Sequence, residues 1–224
     1  MGAARAGGAI MRFLFDFISP YAYLAFTQLP RVEAAVGRTF ALEPVLFAGL
    51  LSAHGNLGPA EILAKRQYII RDLVRMSQEL GVPLDVPPAH PFNPLVALRV
   101  SCAAQQGVQR RAVVKALFDA VWRQGRAIDT AAAVAAALEG VVEAPEALVQ
   151  RAGEPEIKAA LRAQTAQAAG EGVFGVPTAV VDGEYFWGAE SLRHIERGWR
   201  PDEEARALLA RWDGLEASAT RPRK

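Results

Sequence analysis

The sequence contains a single cysteine, Cys102, among its 224 residues. One cysteine cannot close a disulfide within the chain or build a cysteine-based zinc site, and this usage fits a reducing, cytoplasmic compartment. It also excludes a dithiol oxidoreductase, which needs two thiols. The stretch around Cys102 has helical character, so we predict that this cysteine is a small buried helix residue.

The sequence is also poor in histidine, in charge of one sign and in long apolar runs. Its three histidines, His54, His90 and His194, lack the spacing of a metal site, so we predict no metal. No glycine-rich phosphate-binding motif supports a nucleotide cofactor. The 25 basic and 24 acidic side chains leave a net charge of +1, which favours neither nucleic acid nor a membrane surface as a partner. No stretch approaches the roughly 20 apolar residues that cross a bilayer, so a soluble protein is expected.

The first part of the sequence predicts a strand, a sharp turn, a helix and a second strand. Residues 11–17 alternate and are rich in β-forming residues, which is typical of a buried central strand. Ser19 and Pro20 interrupt this pattern, and apolar positions at helical spacing follow over residues 21–36. Residues 38–47 predict the second strand, in which Pro44 indicates an edge position or a strand end.

The rest of the sequence is predicted to be helical, apart from one hairpin. In the hairpin, two short runs of β-forming residues flank Asp182 and Gly183, a dipeptide that favours a tight turn. Glycine and proline separate the helical segments. These segments lie near residues 59–80, 93–107, 110–124, 129–139, 145–152, 155–169, 189–198 and 202–213.

This order of elements is that of a thioredoxin fold, an α/β fold, with a large helical insertion. Both halves are needed to close the sheet, so residues 11–50 and 170–200 are predicted to form one discontinuous thioredoxin-like domain. Residues 51–169 would form an inserted helical subdomain that caps one side of the fold and shapes a cleft. Residues 201–224 are predicted to be a C-terminal helix with a frayed tail, and residues 1–10 a loose leader.

Ser19 lies between the predicted first strand and the predicted first helix. The positive end of the helix dipole and the exposed amides there attract an anion. A thiolate above Ser19 would also gain a hydroxyl hydrogen bond, and its pKa would fall. Alternatively, Ser19 is only the N-cap of the helix, a role for which serine is preferred. Asp16, in the apolar strand before it, either contacts the turn or lies at a solvated strand end.

A proline also stands immediately before the predicted third strand. The Val176-Pro177 bond is a candidate for the cis isomer, which would turn the N–H and C=O of Val176 outward to pair with an extended peptide. An ordinary trans proline at the start of a strand is the alternative.

Three segments together resemble a known family. They are Asp16-Phe-Ile-Ser-Pro-Tyr-Ala-Tyr-Leu-Ala25, Phe174-Gly-Val-Pro-Thr178 and Phe186-Trp-Gly188. In this order and spacing they resemble the 2-hydroxychromene-2-carboxylate isomerases and the kappa-class glutathione transferases of the disulfide-oxidoreductase A superfamily. The likeness extends from Met11 to about Gly198.

The resemblance implies a glutathione site. Ser19 stands where this family places the residue that contacts the glutathione sulfur, in place of the first cysteine of the redox relatives. Val176, with Pro177, would pair its backbone with the cysteinyl part of glutathione. The γ-glutamyl end would be held by Trp187, Gly188, Ala189 and Glu190.

The resemblance also indicates substrate contacts, with some departures from the family pattern. The family segment at the γ-glutamyl end usually finishes in Ser-Asp or Gln-Asp, so Ala189 removes a side-chain donor and Glu190 is a longer carboxylate. Asn56 and Lys65 resemble residues that contact a carboxylate of the substrate or of glutathione. Alternatively, Asn56 is a turn residue and Lys65 lies on a solvated helix face. Asn93 is a further candidate, with a helix N-cap as its alternative.

Several aromatic residues are candidates for an aromatic-substrate pocket, with a place in the core as the alternative. Tyr21 and Phe47 are the two predicted substrate contacts among them. The others are Tyr23, Phe186 and Trp187.

The implied activity is the isomerisation of 2-hydroxychromene-2-carboxylate-type intermediates of aromatic degradation, by reversible addition of a glutathione thiolate. The alternatives are a kappa-type transferase that conjugates electrophiles, and a non-catalytic binding module that kept the scaffold. Glutathione and a small aromatic compound are the expected ligands. A homodimer is the expected assembly, because relatives are often dimers.

Overall fold

The computed structural model describes residues 10–216. All but the last residue of the predicted leader, and residues 217–224 of the predicted tail, lie outside the described residues. Within residues 10–216, no helix is long and apolar enough to cross a membrane.

A four-stranded mixed sheet forms the centre of the fold. Its strands are β1 (Met11–Phe15), β2 (Phe40–Pro44), β3 (Thr178–Val181) and β4 (Glu184–Trp187), in the order β2-β1-β3-β4. β1 pairs in parallel with β2 and antiparallel with β3, so the first and last parts of the chain meet in one sheet. This arrangement confirms the predicted thioredoxin fold.

Helices surround this sheet, and most of them lie between β2 and β3. The predicted helix starts and ends largely agree with the observed ones, because glycine and proline mark the boundaries. The helices are α1 (Pro20–Val36), α2 (Phe47–His54), α3 (Leu63–Leu80), α4 (Leu95–Ala103), α5 (Val108–Phe118), α6 (Ala131–Leu138), α7 (Pro145–Arg151), α8 (Pro155–Gly170), α9 (Leu192–Glu196) and α10 (Glu203–Asp213). A 3₁₀ turn spans Pro59–Glu61, and a π-helical turn, Asp119–Arg123, continues α5.

The second strand is shorter than predicted, and helix α2 replaces its end. Pro44 is the last residue of the strand, which lies at the sheet edge as its proline indicated. Helix α2 then begins at Phe47, with no capping side chain of its own. Instead, Leu46 N–H donates to Thr165 Oγ1 and Phe47 N–H donates to Asp16 Oδ2, at 3.0 and 2.8 Å. Because both acceptors lie far away in the sequence, no local pattern predicts this helix.

The predicted hairpin is confirmed together with its turn. Asp182 and Gly183 have φ angles of 54° and 87°, the left-handed pair that a two-residue turn between twisted strands requires. β3 and β4 pair from Thr178 with Trp187 to Val181 with Glu184.

The core lies on both faces of β1. Phe13 and Phe15 point into the larger cluster and Leu14 into a smaller one. In the larger cluster the ring of Phe118, from α5, lies 5.6 Å from that of Phe15 and 4.8 Å from that of Phe17. The helices between β2 and β3 therefore share one core with the sheet.

Candidate functional site

Ser19 is the N-cap of α1 and also faces the loop before β3. Its Oγ accepts a hydrogen bond from Ala22 N–H at 3.2 Å, which confirms the capping interpretation. The same hydroxyl donates to the carbonyl oxygen of Val176 at 3.4 Å, and the residue is 9% exposed. This second bond is long, so it leaves the hydroxyl hydrogen available to a better acceptor.

Few backbone amides at this turn remain open to an anion. Ile18 N–H donates to Asp16 Oδ1 and Ser19 N–H to the carbonyl oxygen of Asp16. Ala22 N–H is taken by Ser19 itself, and Pro20 has no N–H. Among residues 10–216, Tyr21 N–H is the donor of this first helical turn that has no partner. The expected group of exposed amides is thus reduced to one, beside the Ser19 hydroxyl.

The Val176-Pro177 bond is cis, the first of the two alternatives that the sequence left open. Val176 lies just before β3, and in the described part of the chain its N–H makes no hydrogen bond. Its carbonyl oxygen accepts from Ser19. The Pro177 carbonyl accepts from Gly188 N–H at 3.0 Å, which fixes the loop to the segment after β4.

The segment after β4 presents a carboxylate and an indole beside this loop. Glu190 is exposed, and its carboxylate lies over Gly188: a Cβ at Gly188 would meet Glu190 Oε1 at 2.6 Å. Trp187 is 53% exposed and its ring lies 5.0 Å from that of Phe174. Ala189, in contrast, is buried in the core.

Asp16 is fully buried, so the solvated alternative for this residue is wrong. Its Oδ1 accepts from Ile18 N–H at 3.0 Å and its Oδ2 from Phe47 N–H at 2.8 Å. Burial raises the pKa of Asp16 to about 7, although the N–H groups of Phe47, Ile18 and Phe17 stabilise the carboxylate. The alternative that Asp16 contacts the turn is confirmed. The sequence signal for this contact was a charged residue within a run of aromatic residues.

His90 and Trp122 hold the same turn from the helical insertion, and neither was predicted as a site residue. Trp122 Nε1–H donates to the carbonyl oxygen of Phe17 at 2.7 Å, and His90 Nε2 lies 2.9 Å from that of Ile18. The two rings lie 5.5 Å apart. Burial lowers the pKa of His90. Trp122 lies in the π-helical turn and the His90-Pro91 bond is cis, and sequence patterns revealed neither feature.

Of the predicted substrate contacts, the structure brings Tyr21 and Phe47 to this site. Tyr21 lies two residues after Ser19, and its hydroxyl donates to Asp72 Oδ2 at 2.8 Å. Burial is the main cause that raises the pKa of Tyr21. The hydrogen bond to Asp72 and the negative charges of Asp72 and Glu190 raise it further. Phe47 packs against the cluster that contains Val176.

The other predicted contacts are exposed. Lys65, with Ala64, Tyr68 and Ile69 of α3, lines an open depression of about 360 Å³. Asn56 follows α2 and is exposed. Asn93 lies one residue before Pro94, the N-cap of α4, and its Oδ1 accepts from Leu95 N–H at 3.0 Å.

Two of the candidate pocket residues belong to the core, and Cys102 is half-buried. Tyr23 and Phe186 are buried in the core. Cys102 lies in α4, where burial raises the pKa of its thiol to about 11, so the thiol is unreactive at neutral pH. Over residues 10–216, no group of three or more His, Cys, Asp or Glu side chains could hold a metal ion.

Comparison with known proteins identifies the family. A model of the DSBA-like thioredoxin domain matches residues 10–198. The 2-hydroxychromene-2-carboxylate isomerase of Sphingobium xenophagum is 30% identical over 82% of this chain and 94% of its own length. Glutathione S-transferase kappa 2 of Caenorhabditis elegans is also 30% identical, over 75% of this chain and 79% of that protein.

Solved structures agree with these relatives. A 2-hydroxychromene-2-carboxylate isomerase superposes with a TM-score of 0.78 at 27% identity, covering 92% of this chain and all of that one. The cytosolic disulfide reductase DsbM of Pseudomonas aeruginosa, at 16% identity and a TM-score of 0.60, shares the fold over 91% of this chain and 98% of its own. The predicted resemblance is confirmed, and the relatives agree with the prediction of an isomerase-like enzyme. The chain belongs to the family of DSBA-like thioredoxin domains, alongside the 2-hydroxychromene-2-carboxylate isomerases and kappa glutathione transferases to which it is similar.

Proposed function

We propose that this protein is a glutathione-dependent isomerase of 2-hydroxychromene-2-carboxylate-type compounds. One observation carries the proposal: the Ser19 hydroxyl, at the N-terminus of α1, lies 3.4 Å from the carbonyl oxygen of Val176, next to a cis proline. The relatives that are named for glutathione transfer and for this isomerisation support the choice of ligand.

The open backbone groups suit an extended peptide. Val176 offers a free N–H and a carbonyl that is only weakly bonded, so the cysteinyl residue of glutathione can pair with both. Its sulfur would then lie above Ser19. The Ser19 hydroxyl would turn from Val176 to the sulfur, and with Tyr21 N–H and the helix dipole it would favour the thiolate.

The thiolate acts as a nucleophile that is regenerated. Its sulfur adds to the conjugated double bond of the ring-opened substrate, and the electron pair of that bond moves to the carbonyl oxygen as an enolate. The former double bond is now single and can rotate. When the enolate collapses, the C–S bond breaks and the double bond re-forms in the trans geometry. Ser19 stabilises the departing thiolate and forms no covalent bond.

The remaining predicted residues would place the ends of the ligands. Glu190 carries the negative charge that complements the γ-glutamyl ammonium. Gly188 lets this carboxylate lie close to the backbone, and the Trp187 ring would line one side of the site. Lys65 and Asn56 would meet a carboxylate of glutathione or of the substrate, and Tyr21 and Phe47 flank the sulfur. We also propose a cytoplasmic homodimer, by analogy with the family and because one cysteine suits a reducing compartment.

Product analysis separates this function from its alternatives. Glutathione is titrated into the protein by calorimetry, and hydroxychromene carboxylates are then screened while free thiol is measured. An isomerase yields the trans product with the thiol unchanged, whereas a transferase consumes one thiol per product. A protein that binds no glutathione, with no rise in melting temperature at high concentration, is instead a binding module.

A further inference from the structure

Asp16 is a buried carboxylate to which the proposed reaction assigns no role. It is 0% exposed, and within residues 10–216 no cationic side chain forms an ion pair with it. Its two oxygens instead accept from the backbone at the starts of two helices, Ile18 just before α1 and Phe47 at the start of α2. A buried charge without a cation is costly, and such groups cluster at functional sites.

The two hydrogen bonds of Asp16 join the two sides of the glutathione site. Ile18 belongs to the turn that ends at Ser19. Phe47 packs in the cluster that contains Val176, the residue that would pair with the peptide. Asp16 therefore ties the turn that carries Ser19 to the start of α2, whose Phe47 packs against the same cluster as Val176.

Asp16 also accepts from backbone amides that could otherwise stabilise a sulfur anion at the start of α1. Its backbone oxygen accepts from Ser19 N–H and its side chain from Ile18 N–H, the two amides that immediately precede the helix. A carboxylate and a thiolate at the same N-terminus repel each other, so the ionisation of one disfavours that of the other.

We propose that Asp16 is a positioning residue that joins the two sides of the glutathione site and shares one negative charge with the bound glutathione sulfur. This inference rests on the proposed function. When the sulfur ionises, Asp16 holds its proton, and when the thiol is protonated, Asp16 can ionise. The raised pKa of Asp16, about 7, places this exchange near neutral pH.

Within residues 10–216, the titratable groups on α1, β2 and α2 and in the insertion leave this coupling to Asp16. They include Tyr21 and Tyr23 on α1, Glu43 on β2, His54 on α2 and His90 in the insertion. None of them makes a hydrogen bond or an ion pair with the Asp16 carboxylate. Burial alone, opposed by backbone N–H groups, sets its pKa.

The test compares Asp16→Asn with Thr165→Val. Thr165 Oγ1 accepts from Leu46 N–H, so the control variant loosens the same helix start and changes no charge. The ionisation of bound glutathione is followed by thiolate absorbance against pH. In Asp16→Asn the thiol should ionise about one pH unit lower than in the wild type, because a nearby negative charge is gone. In Thr165→Val the thiol should ionise as in the wild type. In both proteins the titration should spread over two steps, because the thiol and Asp16 are coupled.

A second measurement needs no ligand. A carboxyl group with a raised pKa in the folded state binds its proton more tightly there than in the unfolded chain. Wild-type stability should therefore fall as pH rises from the ordinary value, 3.8, to about 7, and Asp16→Asn should lack this component. Melting temperatures across this interval also show whether each variant folds.

The outcomes separate this inference from the proposed function. Glutathione binding with the same thiol pKa in the wild type and in Asp16→Asn would overturn the shared charge alone. Equal changes of the thiol pKa in Asp16→Asn and in Thr165→Val would also overturn the shared charge, because the position of α2 would then explain the change. A wild-type protein that binds no glutathione would overturn the proposed function together with this inference.

Discussion

At the residue scale, Ser19 is the N-cap of α1 and keeps a hydrogen-bond donor for the second role that the sequence suggested. Its oxygen caps α1 by accepting from Ala22 N–H, while its hydrogen points to Val176 at a distance that gives a weak bond. A hydroxyl has one donor and two acceptor sites, so the cap can persist while the hydrogen turns to a sulfur.

Replacing Ser19 by alanine should separate these roles. The lost cap costs about 1 kcal/mol of unfolding free energy. The lost donor should also raise the pKa of bound glutathione and lower the turnover by about tenfold or more, because a charge-assisted hydrogen bond contributes roughly 1.5–3 kcal/mol. Thermal unfolding and steady-state kinetics measure the two effects.

Thr130→Ala is the matched control for this variant. Thr130 caps α6 by accepting from Ala133 N–H at 3.2 Å, the same distance as in the Ser19 cap. It should reproduce the stability loss with unchanged turnover. If Ser19→Ala behaved in the same way, Ser19 would be a cap and nothing more.

At the scale of elements, the connection between β4 and α9 depends on a backbone that favours glycine. Gly188 has a φ of 91°, and the Glu190 carboxylate covers the place where a Cβ would stand. The position of this carboxylate is therefore tied to the absence of a side chain two residues before it.

Gly188→Ala should move Glu190 and weaken glutathione binding. The added Cβ would meet Glu190 Oε1 at 2.6 Å, so the carboxylate must turn away. We expect KM for glutathione to rise by about twofold to fivefold with a smaller change in kcat, because an exposed ion pair is worth up to about 1 kcal/mol.

Gly183→Ala provides the comparison for this change. Gly183 has a similar φ, 87°, but nothing lies within 4 Å of an added Cβ. Its backbone strain should lower stability to a similar extent, about 1 kcal/mol, without affecting KM. An equal KM in Gly188→Ala and the wild type would argue against Glu190 as a glutathione contact.

At the scale of the whole molecule, one aromatic cluster holds the insertion against the sheet. Phe118 of α5 contacts rings from β1 and the turn after it, and also Phe26 of α1 at 5.4 Å. The insertion and the thioredoxin-like part should therefore unfold together, even though the sequence divides them.

Phe118→Ala should destabilise the entire protein by about 3–5 kcal/mol, because it removes a fully buried ring and leaves a cavity. Calorimetry should show one transition at a lower temperature. Phe174→Ala, at a residue that is 46% exposed, is the control and should cost less. Two separate transitions in the wild type would contradict the shared core.

Local patterns in the sequence were sufficient for most of the fold. The alternation of β1, the Asp182-Gly183 turn and the Gly37 end of α1 depend on contacts between residues close in sequence, so they could be predicted. Gly37 has a φ of 68° and donates to Glu33, as expected for a helix C-cap. Ser19, Val176 and Pro177 could be proposed as site residues because their motifs lie at a strand end and at a strand start.

By itself the sequence determined the order of elements and the family, and it left the cis and trans forms of the Val176-Pro177 bond as alternatives. Only the tertiary structure decided where α2 begins, because its first two N–H groups donate to Asp16 and Thr165, which lie 31 and 119 residues away. It also decided the burial of Asp16, which raises the pKa of that carboxyl group, and the hydrogen bonds of His90 and Trp122 with the turn. Burial and hydrogen bonding between distant segments set these properties, and neither exists until the chain has folded.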